Sequence, residues 1–127
     1  MLEEYCRLRQ EKDSFRRFYT DSALDLYVWY ENDKITIIGF QLIYNKQDED
    51  NMKAFTWEAK KGGLHSGVDI KGFYDPSPIL VDNGPFEPMK LLDTFVKSAM
   101  NLDKTIYNLI YNVLKSYDKQ NILRHPD

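Results

Sequence analysis

LDLYVWY, residues 24–30, and KITIIGFQLIY, residues 34–44, decide how this chain folds. Both runs are dense in β-branched and aromatic residues, which suit the pleated, half-buried surface of a sheet. Between them, Asn32 and Asp33 both tolerate positive φ and suit a two-residue hairpin turn. That turn predicts a register. Tyr30 then opposes Ile35, Val28 opposes Ile37 and Leu26 opposes Gly39. On the other face Trp29 opposes Thr36, Tyr27 opposes Ile38 and Asp25 opposes Phe40.

An antiparallel sheet with one face in water alternates apolar and polar residues. This hairpin does not. In the predicted register Leu26, Val28, Tyr30, Ile35, Ile37 and Ile43 share one face, and Tyr27, Trp29, Ile38, Phe40, Leu42 and Tyr44 share the other. Both faces call for cover. Gln41 and Asp25 interrupt them and need partners if buried.

Outward from the hairpin, NKQDEDN (45–51) is a polar loop. KAFTWEA (53–59) is a third strand, Gly62-Gly63 a turn, and LHSGVDI (64–70) a fourth strand. Residues 24–70 therefore read as a four-stranded antiparallel meander. Residues 3–20 fit two structures. Asp13 or Ser14 suits the start of a short helix through Phe15, Phe18 and Tyr19, and the same stretch suits an extended chain. Residues 72–88 hold four prolines and two glycines, too many for regular structure beyond a short strand at 78–81.

The last third is helical. Pro88 fits a first helical turn, and Leu91, Leu92, Phe95, Val96 and Ala99 recur at helical spacing. Asn101 or Asp103 can cap a second helix carrying Ile106, Leu109, Ile110, Val113, Leu114 and Tyr117. Tyr107 and Tyr111 widen its apolar stripe to roughly 200°, about twice what one core requires. The expected fold is α+β: one domain over 1–127, with a four-stranded meander, a proline-rich loop and two C-terminal helices packed on one sheet face. The other face is left to residues 1–20, to residues 72–88, or to a partner.

The totals narrow the function. The chain has 127 residues and a net charge of −3. Arg7, Arg9, Lys12, Arg16 and Arg17 form its nearest basic footprint, and Glu3, Glu4, Glu11 and Asp13 almost cancel it. That argues against a nucleic-acid partner. Cys6 is the only cysteine, so no internal disulfide forms, as suits a reducing compartment. The opening MLEEYCRLRQEK is too charged for a signal peptide, and the longest apolar run, 35–44, is too short for a membrane span. The expectation is a cytoplasmic protein without a membrane segment.

KKGGLHSGVD (60–69) is the densest cluster of reactive side chains. On a strand, His65 and Ser66 point to opposite faces, and His65 and Asp69 stand about 13 Å apart. A triad within this stretch fails on geometry. With a turn centred on Lys61-Gly62, Glu58 lies opposite His65, as an ordinary cross-strand ion pair or an acid–base pair. Two histidines and one cysteine do not make a structural zinc site, and no cofactor motif is present. The lysines and glycines at 60–63 read as a hairpin turn, and Asp48-Glu49-Asp50 lacks the ligand spacing of a calcium loop.

Aromatic residues make up 14% of the chain. The leading expectation is a non-catalytic interaction module. It would act through Tyr27, Trp29, Phe40, Trp57, Tyr107 and Tyr111, as a homodimer or with another protein. The alternative is a small ligand-binding protein or enzyme with a pocket between the sheet and the 72–88 loop, using His65 and Glu58.

Overall fold

The computed structural model describes residues 1–10, 14–60, 62–69, 79–81 and 87–124, with backbone alone at 49, 62–69, 79–81 and 118–124. Among the described residues seven antiparallel strands pair in sequence order. They are β1 (Glu3–Glu4), β2 (Phe15–Thr20), β3 (Asp25–Tyr30), β4 (Ile37–Tyr44), β5 (Lys53–Glu58), β6 (Gly62–Asp69) and β7 (Ile79–Val81). Five of these, β2 to β6, run six to eight residues, and β1 and β7 are short edge strands. Two helices follow, α1 (Pro88–Ser98) and α2 (Lys104–Arg124). The architecture is α+β with an antiparallel meander, as the sequence predicts, and the sheet is wider than four strands.

The extra long strand is β2. The stretch that fits both a helix and an extended chain is extended, paired with β3 from Phe15↔Tyr30 to Thr20↔Asp25. Period two wins over helical spacing because it buries Tyr19 and sets Phe15 against the core.

The register of the first hairpin also differs. The connection is not a two-residue turn but a six-residue loop, 31–36, between β3 and β4. Asp33 organises it. One carboxylate oxygen accepts the Ile35 and Thr36 N–H groups at 2.8 and 2.9 Å, and the other accepts the Thr36 hydroxyl at 2.6 Å. These bonds hold the Asp33 carboxyl below its ordinary pKa. Lys34 takes the positive φ, 61°.

A bulge follows, because Tyr30 pairs with Ile37 and Trp29 with Gly39, leaving Ile38 unmatched. Odd and even positions of β4 then change sides. Phe40 and Leu42 join Val28 and Leu26 instead of Trp29 and Tyr27, and all four are fully buried. The double excess of apolar faces expected from the sequence is thereby largely removed.

The helices cover that one face. Leu91, Leu92, Phe95, Ile106, Ile110 and Leu114 pack with Leu26, Val28, Tyr30, Phe40, Leu42 and Phe55 in one core. Pro88 opens α1, and the Asp103 carboxylate accepts the Thr105 N–H at the start of α2.

Residues 1–10 lie along the outer edge of β2 rather than over the sheet. The Leu2 side chain enters the helix-side core, and its N–H donates to the Ser98 carbonyl at 2.8 Å. Tyr5 N–H donates to Phe18, and the Gln10 side chain both accepts the Arg16 N–H and donates to the Arg16 carbonyl, at 2.9 and 2.7 Å. Gln10 thus stands in for a strand residue and closes the edge.

Candidate functional site

On the sheet face away from the helices, the ladder aligns side chains in rows. One row runs Arg16, Trp29, Gly39, Glu58, and the next runs Phe18, Tyr27, Gln41, Thr56. A third, Thr20, Asp25, Ile43, Ala54, closes in part: Ile43 and Ala54 are buried with Met52, and Tyr27 packs against them. Gln41 finds the partner its burial requires, donating to the Thr56 hydroxyl at 2.9 Å. Asp25 finds two, the Thr20 hydroxyl at 2.6 Å and the Lys46 ammonium at 2.7 Å.

The first two rows carry a continuous aromatic strip. Tyr5 meets Phe18 edge-on at 6.4 Å between centroids, Phe18 meets Tyr27 at 4.5 Å, and Tyr27 stacks on Trp29 at 6.4 Å. Tyr5 is half exposed, and the other three are partly exposed. The Arg16 guanidinium lies 5.8 Å from the Tyr27 ring centre. Burial raises the Tyr27 hydroxyl pKa, while Arg16 acts in the opposite direction.

Trp29 can lie flat because residue 39 has no side chain. A β-carbon there would stand 3.3 Å from the indole and 2.8 Å from the Trp57 carbonyl oxygen. Beside Trp29 is a hollow of about 490 Å³ bounded by Ile38, Gly39, Glu31, Glu58 and Lys60. The Ile38 bulge forms part of its wall.

No protein-family model, curated protein or solved structure matches this chain.

The residues singled out by sequence fall on two sides of the sheet. Tyr27 and Trp29 belong to the strip. Phe40 is fully buried under the helices and presents no surface. Trp57 stacks on Phe40 at 5.6 Å on the helix side. Tyr107 and Tyr111 stack on each other at 6.1 Å, partly buried against the same core. The six therefore do not form one surface.

Tyr5, Phe18, Arg16 and Gly39 complete the strip, and sequence reasoning misses them. The signal for Phe18 is the period-two alternation of Phe15, Arg17 and Tyr19 against Arg16, Phe18 and Thr20. For Gly39 it is a glycine amid large residues in a central strand.

Glu58 does not oppose His65. It pairs with Gly62, and His65 pairs with Phe55. Glu58 and His65 stand three register positions apart, about 10 Å along the strands. The His65 side chain, and the pocket expected beneath the 72–88 loop, lie outside the described residues. Among the described residues no group of three His, Cys, Asp or Glu could hold a metal, and no helix is long and apolar enough to cross a membrane.

A second depression, about 630 Å³, lies between the β2–β3 turn, the β4–β5 loop and α1. Its lining is polar, and Lys46 in its wall is already engaged with Asp25 and with the Asp21 carbonyl at 2.6 Å. Tyr44 beside it has its hydroxyl pKa pushed up to about 12, chiefly by burial.

Proposed function

We propose that this chain is a non-catalytic interaction module that engages a protein, another chain or a second copy of itself, through the Tyr5–Phe18–Tyr27–Trp29 strip. The observation that carries the reading is the strip itself, four rings in serial contact on the sheet face that the helices leave uncovered. Aromatic side chains supply large apolar area with little rotamer entropy to lose, and they are enriched at interfaces for that reason. Neighbouring rings hold one another in place, so the surface is organised before a partner arrives.

The test compares wild type with a Tyr27→Ser, Trp29→Ser double variant of unchanged far-UV circular dichroism. Solution mass is measured by light scattering across a concentration range, alongside retention of proteins from an extract of the source cells. The double variant is expected to lose the self-association or the retained proteins seen with wild type. Identical behaviour of the two proteins would overturn the reading.

A further inference from the structure

We infer that the strip pairs face to face with the strip of a second copy of this chain. The two copies are related by a two-fold axis through Trp29, so that Arg16 of each meets Glu31 of the other. The inference rests on the binding reading above and names the partner.

Charge selects that partner. Arg16 stands opposite Trp29 in the ladder and leans over Tyr27, 5.8 Å from its ring centre. One terminal nitrogen of its guanidinium donates to the Arg9 carbonyl at 3.1 Å, and Nε is buried without a partner. Glu31 comes two positions after Trp29, is exposed, and lies on the same face beside Trp29 and Ile38. Among the described residues neither Arg16 nor Glu31 forms an ion pair. The neighbouring cations differ: Arg17 is held by Glu4 and Lys46 by Asp25. Glu58, the other carboxylate near Trp29, is already engaged and takes no part. A cation and a carboxylate, each without its counter-ion, thus stand on opposite sides of one indole.

A foreign protein would have to supply both a carboxylate and a cation at the spacing these two set. A second copy supplies them at that spacing, because a two-fold axis brings each residue of a pair onto the other. Tyr27 and Glu31 lie two positions to either side of Trp29, about 7 Å each way along an extended chain. Rotation about Trp29 therefore sets Glu31 of one copy over Tyr27 of the other, where the Arg16 guanidinium lies.

Shape agrees with charge. Trp29 lies over Gly39, which carries no side chain, so the face is low at the axis. Facing sheets pack about 10 Å apart, a gap that an arginine and a glutamate span from opposite sides. Ile38, 41% exposed, and Tyr5, 50% exposed, add surface to be covered on either flank.

Wild type is compared with Arg16→Glu, with Glu31→Arg and with the variant carrying both, each of unchanged far-UV circular dichroism. Sedimentation equilibrium across a concentration range reads the mass, 15.1 kDa for one copy. Wild type is expected to reach twice that mass. Each single reversal sets like charges against each other and is expected to weaken the dimer about tenfold or more. The double reversal is expected to restore it. An equimolar mixture of the two single variants is expected to restore it as well, since their unlike charges meet only between copies. Glu31 is exposed, so Glu31→Arg carries the test even where Arg16→Glu disturbs β2.

A wild type that stays at one copy over the whole range would overturn the inference and leave the strip to a foreign protein, judged by the Tyr27→Ser, Trp29→Ser variant. Single reversals that weaken the dimer without rescue in the mixture would overturn it, because the two charges then do not meet. A dimer indifferent to both reversals would overturn it too. Loss of that dimer in the Tyr27→Ser, Trp29→Ser variant would keep the strip as the binding surface, and its persistence there would remove the strip as well.

Discussion

Trp29 lies over Gly39, its Cε3 atom 3.3 Å from the place a β-carbon on residue 39 would take. The same β-carbon would stand 2.8 Å from the Trp57 carbonyl oxygen, which is backbone of the neighbouring strand and cannot swing aside. Gly39→Ala is therefore expected to destabilise the fold by about 1–3 kcal/mol, as overpacking does, and to lift the indole off the strand. Urea unfolding followed by tryptophan fluorescence reads both effects. An alanine variant as stable as wild type, with unchanged emission, would contradict the close approach.

The bulge separates two neighbours that look alike in sequence. Phe40 is fully buried between sheet and helices, and Ile38 is 41% exposed. Phe40→Ala is expected to cost about 3–5 kcal/mol. Ile38→Ser is expected to stay within about 0.5 kcal/mol. Equal losses in chemical denaturation would mean that β4 is set in the other register.

At Arg16 the edge of β2 depends on one side chain. Gln10→Ala leaves the Arg16 N–H and carbonyl without their partner. Faster amide exchange at Arg16 is expected, and light scattering that rises with concentration as free edges pair. Protection at Arg16 that survives the substitution would show that the backbone of residues 6–10, not the Gln10 amide, guards the edge.

Acid stability has a local origin in Glu4. Its carboxylate accepts two bonds from the Arg17 guanidinium, at 2.9 and 2.6 Å, and these hold its pKa below the ordinary 4.5. The unfolded chain then binds more protons between the lowered value and the ordinary one. Stability from this pair is complete above the ordinary value and is lost as pH falls through the folded one. Glu4→Gln is expected to flatten the acid limb of a stability–pH curve. A slope remains from Asp21 and Asp33, whose pKa values are lowered as well. An unchanged acid limb would show that the pair forms equally in the unfolded chain.

The strands β3 to β6 and both helices are legible because their patterns are strong. Leu91, Leu92 and Phe95 recur at helical spacing, and the hairpin runs are rich in β-branched and aromatic residues. What escapes is set by single residues. Asp33 draws the loop to six residues through its own hydrogen bonds, and Ile38 slips out of the ladder, so Phe40 and Leu42 change face. No count of apolar positions contains that slip. The candidate site is legible at Tyr27 and Trp29, which lie before the bulge. It is lost at Phe18 and Tyr5, because a strand with Arg16 and Arg17 at its centre resembles a helix turn as much as an edge.

Strands that pair in sequence order make most contacts of this sheet local, which favours rapid zippering. Leu2 is the exception. Leu2 is held by Ser98 and by Asn101, the latter 99 positions away in sequence. During synthesis Glu3, Glu4, Tyr5 and Gln10 can therefore pair with β2 early, while the docking of Leu2 waits for the α1–α2 junction to leave the ribosome. Until then the place of Leu2 in the core stands open, and filling it joins the first strand to the helix pair.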